Sequence, residues 1–504
     1  MQNPMLEEVH PAKQPSDTGL ENDAQPSSDV SREQISESAY LVRFEDSDPK
    51  NPKNFHPCYK AWLTLEMSML AFIGSLGSSI MSPAQPDLAD YLGVSMEATA
   101  LTLSLFVLGY AFGPLVWAPI SEVYGRRLSM LPPVFALGLL SIGTAVSKNA
   151  ASIFITRFLS GLFGSAPISN VSAALGDIYD PRTRGVPMAF LALCVVGGPT
   201  IAPVIGASLT VNPNLGWRWT EYMEAIIVYT VWTVAIFFLP ETYAPVLLRH
   251  KARGMRQATG DLRYWHPAET EKINLNNIVT KHLSRPLKMF FTEPMVTTIA
   301  LYASFIYGLL FLMLEVFPIV FKEDRNLNLV ISTLPFLGLL VGVICALLVN
   351  LANQPLYVRA VQKNQGRAVP EGRLPPMIIG GLLFSIGLFW FGWTAVPRYP
   401  LASPVVAAGF IGAGFNIVFQ QCLNFLVDTY GPYAASAVSA NNLLRSLMAC
   451  GLPLAARPMF LNLGVGPAST VLGGISCLAL PVPFLFMKYS RTLRQISRFA
   501  PTEE

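Results

Sequence analysis

The sequence predicts an all-α membrane protein with twelve transmembrane helices in two pseudo-symmetric sets of six. Three observations predict it. Only 13% of the 504 residues are charged and 52% are hydrophobic, whereas a soluble chain carries roughly 25% charged residues. The apolar residues come in runs of about twenty, the length that crosses a ~30 Å hydrocarbon core. Lys and Arg concentrate in every second connection, the asymmetry that orients a polytopic protein.

Taken in order, residues 1–60 are rich in Ser, Asp, Glu, Gln and Pro and poor in aromatics, which predicts a disordered cytosolic tail. Spans are expected at 62–81, 99–120, 128–147, 151–174, 187–209 and 222–239, forming a first half over residues 61–242. A cytosolic loop at 243–293 follows. The second half, 294–488, holds spans at 295–316, 329–351, 376–396, 403–426, 433–455 and 467–487, and 489–504 is a cytosolic tail. Arg126, Arg127, Arg182, Arg184, the stretch Arg249 to Lys288, Arg359, Lys363, Arg367, Arg373, Lys488, Arg491, Arg494 and Arg498 all fall on the side of both termini. The opposite loops hold only Lys148, Arg218, Lys322, Arg325 and Arg398. Both termini are therefore expected in the cytosol. No signal peptide precedes the first span, which is expected to serve as the insertion signal.

Composition also excludes several functions. A net charge of +3 without a basic tract gives no footing for nucleic acid. Cys194, Cys345, Cys422, Cys450 and Cys477 lie in apolar runs and Cys58 in the polar head, so they read as packing residues rather than a disulfide framework. His10, His56, His250, His266 and His282 stand outside the apolar runs, and no His/Cys cluster has metal-ligand spacing. No His-Glu-x-x-His, serine-nucleophile or nucleotide-binding loop is present, which speaks against an enzyme or a self-contained ATP-driven pump.

Chemistry-bearing motifs crowd the first half. Gly113-Pro114-Leu115 precedes Ala118-Pro119-Ile120-Ser121-Glu122-Val123-Tyr124-Gly125-Arg126-Arg127 at the end of span two. Gly125 permits a tight turn, and Glu122 with the arginine pair sets opposite charges at adjacent helix ends, where they can meet each other or a helix terminus across the seam between halves. Arg157, in Arg157-Phe158-Leu159-Ser160-Gly161-Leu162-Phe163-Gly164-Ser165-Ala166-Pro167, lies about 10 Å inside span four. Such a cation faces a cavity or a partner, or else fixes helix packing through backbone carbonyls. Span five reads Gly197-Gly198-Pro199-Thr200-Ile201-Ala202-Pro203-Val204-Ile205-Gly206. Its prolines, four apart, delete two hydrogen bonds on one face and bend the helix, and its glycines admit a close neighbour.

In register, these three stretches resemble motifs A, B and C of the major facilitator superfamily, with Glu122 where many members have Asp. The resemblance implies the major facilitator fold, a gating role for Gly113, Glu122, Gly125, Arg126 and Arg127, a place for Arg157 on a proton pathway, and an antiporter kink at Gly198, Pro199, Pro203 and Gly206. Asp48-Pro49-Lys50-Asn51-Pro52-Lys53-Asn54, Gly216-Trp217-Arg218-Trp219, Leu239-Pro240-Glu241-Thr242, Phe317-Pro318 and Pro370-Glu371-Gly372-Arg373-Leu374 are similar to the fungal twelve-span drug:proton antiporter (multidrug and polyamine) branch. The resemblance covers residues 42–495, and Phe55 stands where that branch commonly has Trp.

Polar residues in the second half mark candidate substrate contacts. Asn416, Gln420 and Asn424 recur at four-residue steps on one stripe of span ten, and Asn442, Arg445 and Ser446 cluster on span eleven. They face the interior, either as helix-helix hydrogen-bond partners or as cavity lining. Tyr302 and Tyr307, with Phe311, either stack on a planar ligand or pack. Glu66 and Glu315 are candidate proton carriers, although each is near enough to an interface for a solvated reading; no acid occupies an obvious midplane position in the first half.

The expected function is proton-coupled export of small amphipathic or aromatic compounds (drugs, toxins or a fungal secondary metabolite) by alternating access. The resemblance places a monomer in the plasma membrane, with the vacuolar membrane as the alternative, and its energy in a proton gradient rather than a cofactor. Two alternatives stand beside it: proton-coupled uptake of a nutrient or polyamine, which the span-five kink disfavours, and a non-transporting membrane sensor, for which the terminal extensions give little room.

Overall fold

The computed structural model describes residues 40–45, 47–180, 183–269, 284–365, 369–497 and 499. The expectation of a disordered tail falls chiefly on residues 1–39, outside the described residues, where Arg182, Arg367, Arg498, His10 and His282 also lie. Within residues 40–60, included in that expectation, Pro52–Asn54 form a helical turn and Val42 N donates to Trp265 O.

Ten helical stretches among the described residues are long and apolar enough to cross a membrane. Pro57–Leu76 and Ala434–Leu463 are two further long helices. They are the less apolar pair because they carry Glu66, Ser68 and Ser75 in one case and Asn441, Asn442 and Arg445 in the other. We number the twelve α1 (Pro57–Leu76), α2 (Leu101–Tyr124), α3 (Arg126–Val146), α4 (Ala150–Ile178), α5 (Gly185–Thr210) and α6 (Arg218–Phe238). The second half holds α7 (Pro294–Phe317), α8 (Leu334–Lys363), α9 (Leu374–Thr394), α10 (Ala402–Tyr430), α11 (Ala434–Leu463) and α12 (Val465–Ala479, continued by Pro481–Ile496). The first helix starts and ends earlier than the hydropathy run, because Pro57 occupies its first turn, where no N–H is needed, and the His56 ring accepts from Cys58 N.

Helix contacts repeat when every helix is moved on by six. α1 packs on α5 as α7 packs on α11; α2 on α4 as α8 on α10; α3 on α4 and α6 as α9 on α10 and α12. The two large contacts between halves, α2 with α11 and α5 with α8, exchange under the same operation. The repeat holds at single residues. A Cβ on Gly161 of α4 would stand 1.9 Å from Phe106 O of α2, and one on Gly412 of α10 would stand 2.2 Å from Leu339 O of α8. In both halves small residues let helix backbones touch, the substitute inside a bilayer for a hydrophobic driving force. Leu103, Val107 and Val196 of the first half join the apolar core of the second and fill part of the seam.

One face carries residues 40–56, helix Ala244–Thr259 and the end of α12; we call it the terminal face and its opposite the far face. On the terminal face, residues 40–48 form a strap. Val42 N donates to Trp265 O, Trp265 N donates to Tyr40 O, and Lys251 Nζ reaches Asp48 Oδ2 at 2.6 Å. The Lys251 hydrogen bond holds the Asp48 carboxyl below its ordinary value. A depressed carboxyl contributes stability above its unfolded pKa and loses it as the pH falls through the folded one, so this contact persists at neutral pH and breaks only below the usual Asp range.

Gly161→Leu and Gly412→Leu should each abolish monodisperse folded protein in fluorescence-detected size exclusion. Gly474→Leu, where an added Cβ meets nothing within 4 Å, should elute as the unaltered protein does.

Candidate functional site

The first half contains a sealed ionic cluster. Arg157 has no solvent exposure. Its Nη1 donates to Glu221 Oε1 at 3.1 Å and lies 3.7 Å from Glu224 Oε2. Nε donates to Thr102 O at 3.2 Å and Nη2 to Gly77 O at 2.5 Å, while the guanidinium sits 4.5 Å above the Phe106 ring. Gly77 makes this approach available, since a Cβ there would lie 2.1 Å from Glu224 Oε1. Glu221 Oε2 and both Glu224 oxygens are sealed from solvent, with the Thr144 hydroxyl beside Glu221 and the Ser141 hydroxyl beside Glu224. One cation thus faces two carboxylates, and the fully ionised cluster carries one net negative charge.

These two acids are buried carboxylates of the first half, in addition to Glu66, that the sequence reading did not single out. They start α6, and their offset of three puts them on one helix face. Arg157 lies seven residues inside α4 and the glutamates three and six inside α6, and both helices begin at the far face. That match of depth was a usable signal in the sequence. The other candidate acids are also buried rather than solvated. Glu66 is 4% exposed and neither of its oxygens has a hydrogen-bond partner, and Glu315 is 9% exposed and accepts from Gln85 Nε2 at 2.7 Å.

The charged turn before α3 is organised within the first half. Arg126 Nε donates to Asp177 Oδ2 at 2.8 Å, Nη1 donates to Ser121 Oγ, and the guanidinium lies 4.5 Å from the Tyr243 ring centre. The Glu241 carboxylate accepts from the backbone N–H groups of Arg126, Arg127, Thr242 and Tyr243. It supplies acceptors and negative charge at the start of α3, where helix N–H groups are unpaired. Gly125 at φ +97° turns the chain, and a Cβ there would lie 2.3 Å from Glu241 Oε2. Glu122 is exposed on the last turn of α2, and Arg127 Nη2 donates to Ile236 O at 2.7 Å. A Cβ on Gly113 would meet Ser165 Oγ at 1.6 Å, fixing α2 against α4. The second half repeats the device: Arg373 Nε donates to Asp428 Oδ2 at 2.9 Å and lies 3.4 Å from the Tyr357 ring centre.

Helix α5, with Pro199 and Pro203 inside it, presses on α1 and on the segment that follows α1. A Cβ on Gly198 would lie 2.2 Å from Ser75 Oγ, and one on Gly206 would lie 2.1 Å from Ile80 O. Pro203 has no N–H for the carbonyl four residues earlier, that of Pro199. Ser79 Oγ donates to this carbonyl at 2.9 Å. A hydroxyl on the segment after α1 thereby replaces the deleted helix bond.

In the second half the polar candidates divide. Gln420 accepts from Asn350 Nδ2 at 2.7 Å, and Gln421 Nε2 donates back to Asn350 Oδ1 at 2.8 Å, so Gln420 serves helix-helix bonding. Asn416 is buried, Asn424 is half-buried, and Asn442 lines a cleft of about 390 Å³ with Ala111 and Pro114 of α2. Tyr302 packs against Gly381, while Tyr307 joins Phe311, Phe415 and Phe419 beneath Arg445. On the far face Ser82 Oγ donates to Leu314 O at 3.1 Å, and Arg457 Nε lies 3.9 Å from Glu97 Oε1. With Gln85–Glu315 these contacts latch the halves together beside a cleft of about 540 Å³.

Comparison with known proteins agrees with this architecture. The Major Facilitator Superfamily model matches residues 67–453. The chain is 37% identical over 470 residues to the "Major facilitator superfamily multidrug transporter FLU1" of Candida albicans, covering 92% of this chain and 77% of that protein. It is 37% identical over 473 residues to "Efflux pump bik6" of Gibberella fujikuroi, covering 94% and 97%. It is 38% identical over 465 residues to the "Citrinin biosynthesis cluster MFS transporter mrr1" of Monascus ruber, covering 92% and 93%. In fold it is similar to the xylose transporter XylE from E. coli, with TM-score 0.60 and 16% identity over 86% of this chain and 99% of that one. The human organic anion transporter MFSD10 gives TM-score 0.57 and 17% identity over 85% and 100%.

Arg157→Ala leaves two acids buried without their cation and should cost about 3–5 kcal/mol, read as a lower melting temperature in detergent; Arg157→Lys should recover part of it. Glu315→Leu strips the Gln85 amide of its partner and should loosen the far-face latch. Faster labelling of Ser82→Cys by an impermeant maleimide from that face is the expected readout.

Proposed function

Since this chain belongs to the major facilitator superfamily and is a multi-pass membrane transporter of small organic molecules, we propose that it is a proton-driven efflux pump. The observation that carries the proton is the sealed Arg157–Glu221–Glu224 cluster. With both glutamates ionised, the site holds one uncompensated negative charge away from water, and a single bound proton neutralises it. Arg157 also holds the carbonyls of Gly77 and Thr102. Adding or removing that proton therefore changes the balance of forces where α1, α2, α4 and α6 meet. The far-face latch must open in the same cycle for alternating access.

Outward direction rests on two supports. One is the proline pair inside α5, whose helix packs on α1 through Gly198 and on the following segment through Gly206. The other is the naming of relatives as a multidrug transporter and an efflux pump. The basic residues of the terminal face put that face in the cytosol, and a drug, toxin or fungal secondary metabolite fits the cargo, as does the relative named for a citrinin biosynthesis cluster. We place the pump in the plasma membrane as a monomer driven by the proton gradient, without a cofactor.

In inverted vesicles loaded by an imposed pH gradient, a panel of amphipathic fluorescent drugs should accumulate, and dissipating the gradient should stop accumulation. Unchanged transport after dissipation refutes proton coupling. Glu221→Gln combined with Glu224→Gln should reduce gradient-driven transport at least about tenfold, a change of ~1.4 kcal/mol or more, while energy-independent counterflow persists.

A further inference from the structure

The second half holds a buried cation that no acid neutralises. Arg445 stands eleven residues inside α11, about 17 Å from its terminal-face end, and is 9% exposed. Its Nε is sealed from solvent without a hydrogen-bond partner, and no carboxylate lies within ion-pair distance among the described residues. The groups that face it are aromatic. Its guanidinium carbon lies 4.5 Å from the Tyr307 ring centre and 4.9 Å from that of Phe419, and Phe419 is stacked on Phe415 at 5.7 Å with planes 8° apart. One turn earlier on the same stripe, Asn441 is fully buried with both side-chain polar atoms unpartnered.

Two independent polar groups, a guanidinium and an amide, are thus held at mid-depth with unused donors beside flat apolar faces. Ring faces attract a cation only weakly compared with the solvation it has lost. The first half shows what completes such a site: Arg157, also buried, is met by two carboxylates and two carbonyls. Arg445 has the rings and lacks the oxyanion. Its planar fork is suited to paired hydrogen bonds with a carboxylate, and the Asn441 amide supplies one further donor. The position is also a contact between halves. Tyr110 of α2 donates to Gly74 O and packs edge-on against Phe106, the ring under Arg157, and α2 packs on α11 across the seam. A ligand charge at Arg445 therefore acts near the ionic cluster of the first half.

We propose that Arg445, with Asn441, Tyr307 and Phe419, forms the recognition site for the cargo's charge, and that the preferred cargo is an aromatic organic anion. This deepens the transport reading and rests on it. The carboxylate replaces the absent ion-pair partner of Arg445, and the ring system stacks on Tyr307 and Phe419.

The test is equilibrium binding without any gradient, on the full chain in nanodiscs against empty nanodiscs. The probes are 2-naphthoate and anthracene-9-carboxylate, each beside its uncharged amide. Each acid should bind about tenfold or more tighter than its amide. Arg445→Gln should erase that difference while leaving amide binding within about twofold, and Arg445→Lys should retain the preference for acids. A chain that binds acid and amide alike, or binds none of the four, overturns the proposal, as does an acid preference that survives Arg445→Gln. If Arg445→Gln does not fold, the acid-to-amide ratio of the unaltered chain and of Arg445→Lys decides it. Arg445-dependent acid binding together with gradient-independent transport leaves this site standing and refutes proton coupling, so the two readings fail separately.

Discussion

A guanidinium withdrawn completely from water is the constraint around which the first half is organised. Arg157 costs several kcal/mol to bury, and its burial is offset only because three neighbouring helices deliver partners to one point. The end of α1 offers the Gly77 carbonyl, α2 the Thr102 carbonyl and the Phe106 face, and α6 two carboxylates. Shifting any of these helices removes a partner that lipid cannot replace. The register that equates Gly161 with Gly412 and Asp177 with Asp428 sets Ala408 opposite Arg157, and Ala408 is fully buried. The scaffold repeats, but its ionic chemistry does not.

The same demand for polar satisfaction explains smaller features. The proline of α5 that deletes a backbone bond is answered by Ser79 from a different segment, so the defect in one helix is registered against its neighbour. The start of α3 has four N–H groups without helical partners, and Glu241 from beyond α6 gathers two of them together with its own chain's amides. In each case a backbone defect is repaired by a residue from elsewhere in the fold, which joins helices without a direct ion pair between them.

Much of the fold was legible in the sequence because its causes are local. Runs of about twenty apolar residues, basic residues in alternate connections and glycine-proline punctuation are all one-dimensional signals. Residues 40–60 escaped because a polar composition does not reveal a partner far along the chain, and Trp265 and Lys251 lie two hundred residues away. The candidate site was legible in its types rather than its pairings. Arg157 and Arg126 stood out as costly cations, but Glu221 and Asp177 became their partners only through helix packing. Gln420 shared a stripe with Asn416 and Asn424, yet spacing on one helix could not show that Asn350 of another would claim it. Asn441 was passed over for its neighbour Asn442 because helical phase was not fixed to within one residue.

The strap on the terminal face bears on movement. The halves are joined through residues 243–293, of which Ala244–Thr259 and Arg285–Thr292 are helical. Docking of residues 40–48 against Trp265 and Lys251 fastens the first part of this connection to the chain that enters α1. Only the residues after Trp265 then remain to connect this docked segment to the second half. A shorter connection narrows the range of separations that the two halves can sample, so an amino-terminal segment far from the seam limits the stroke of the machine.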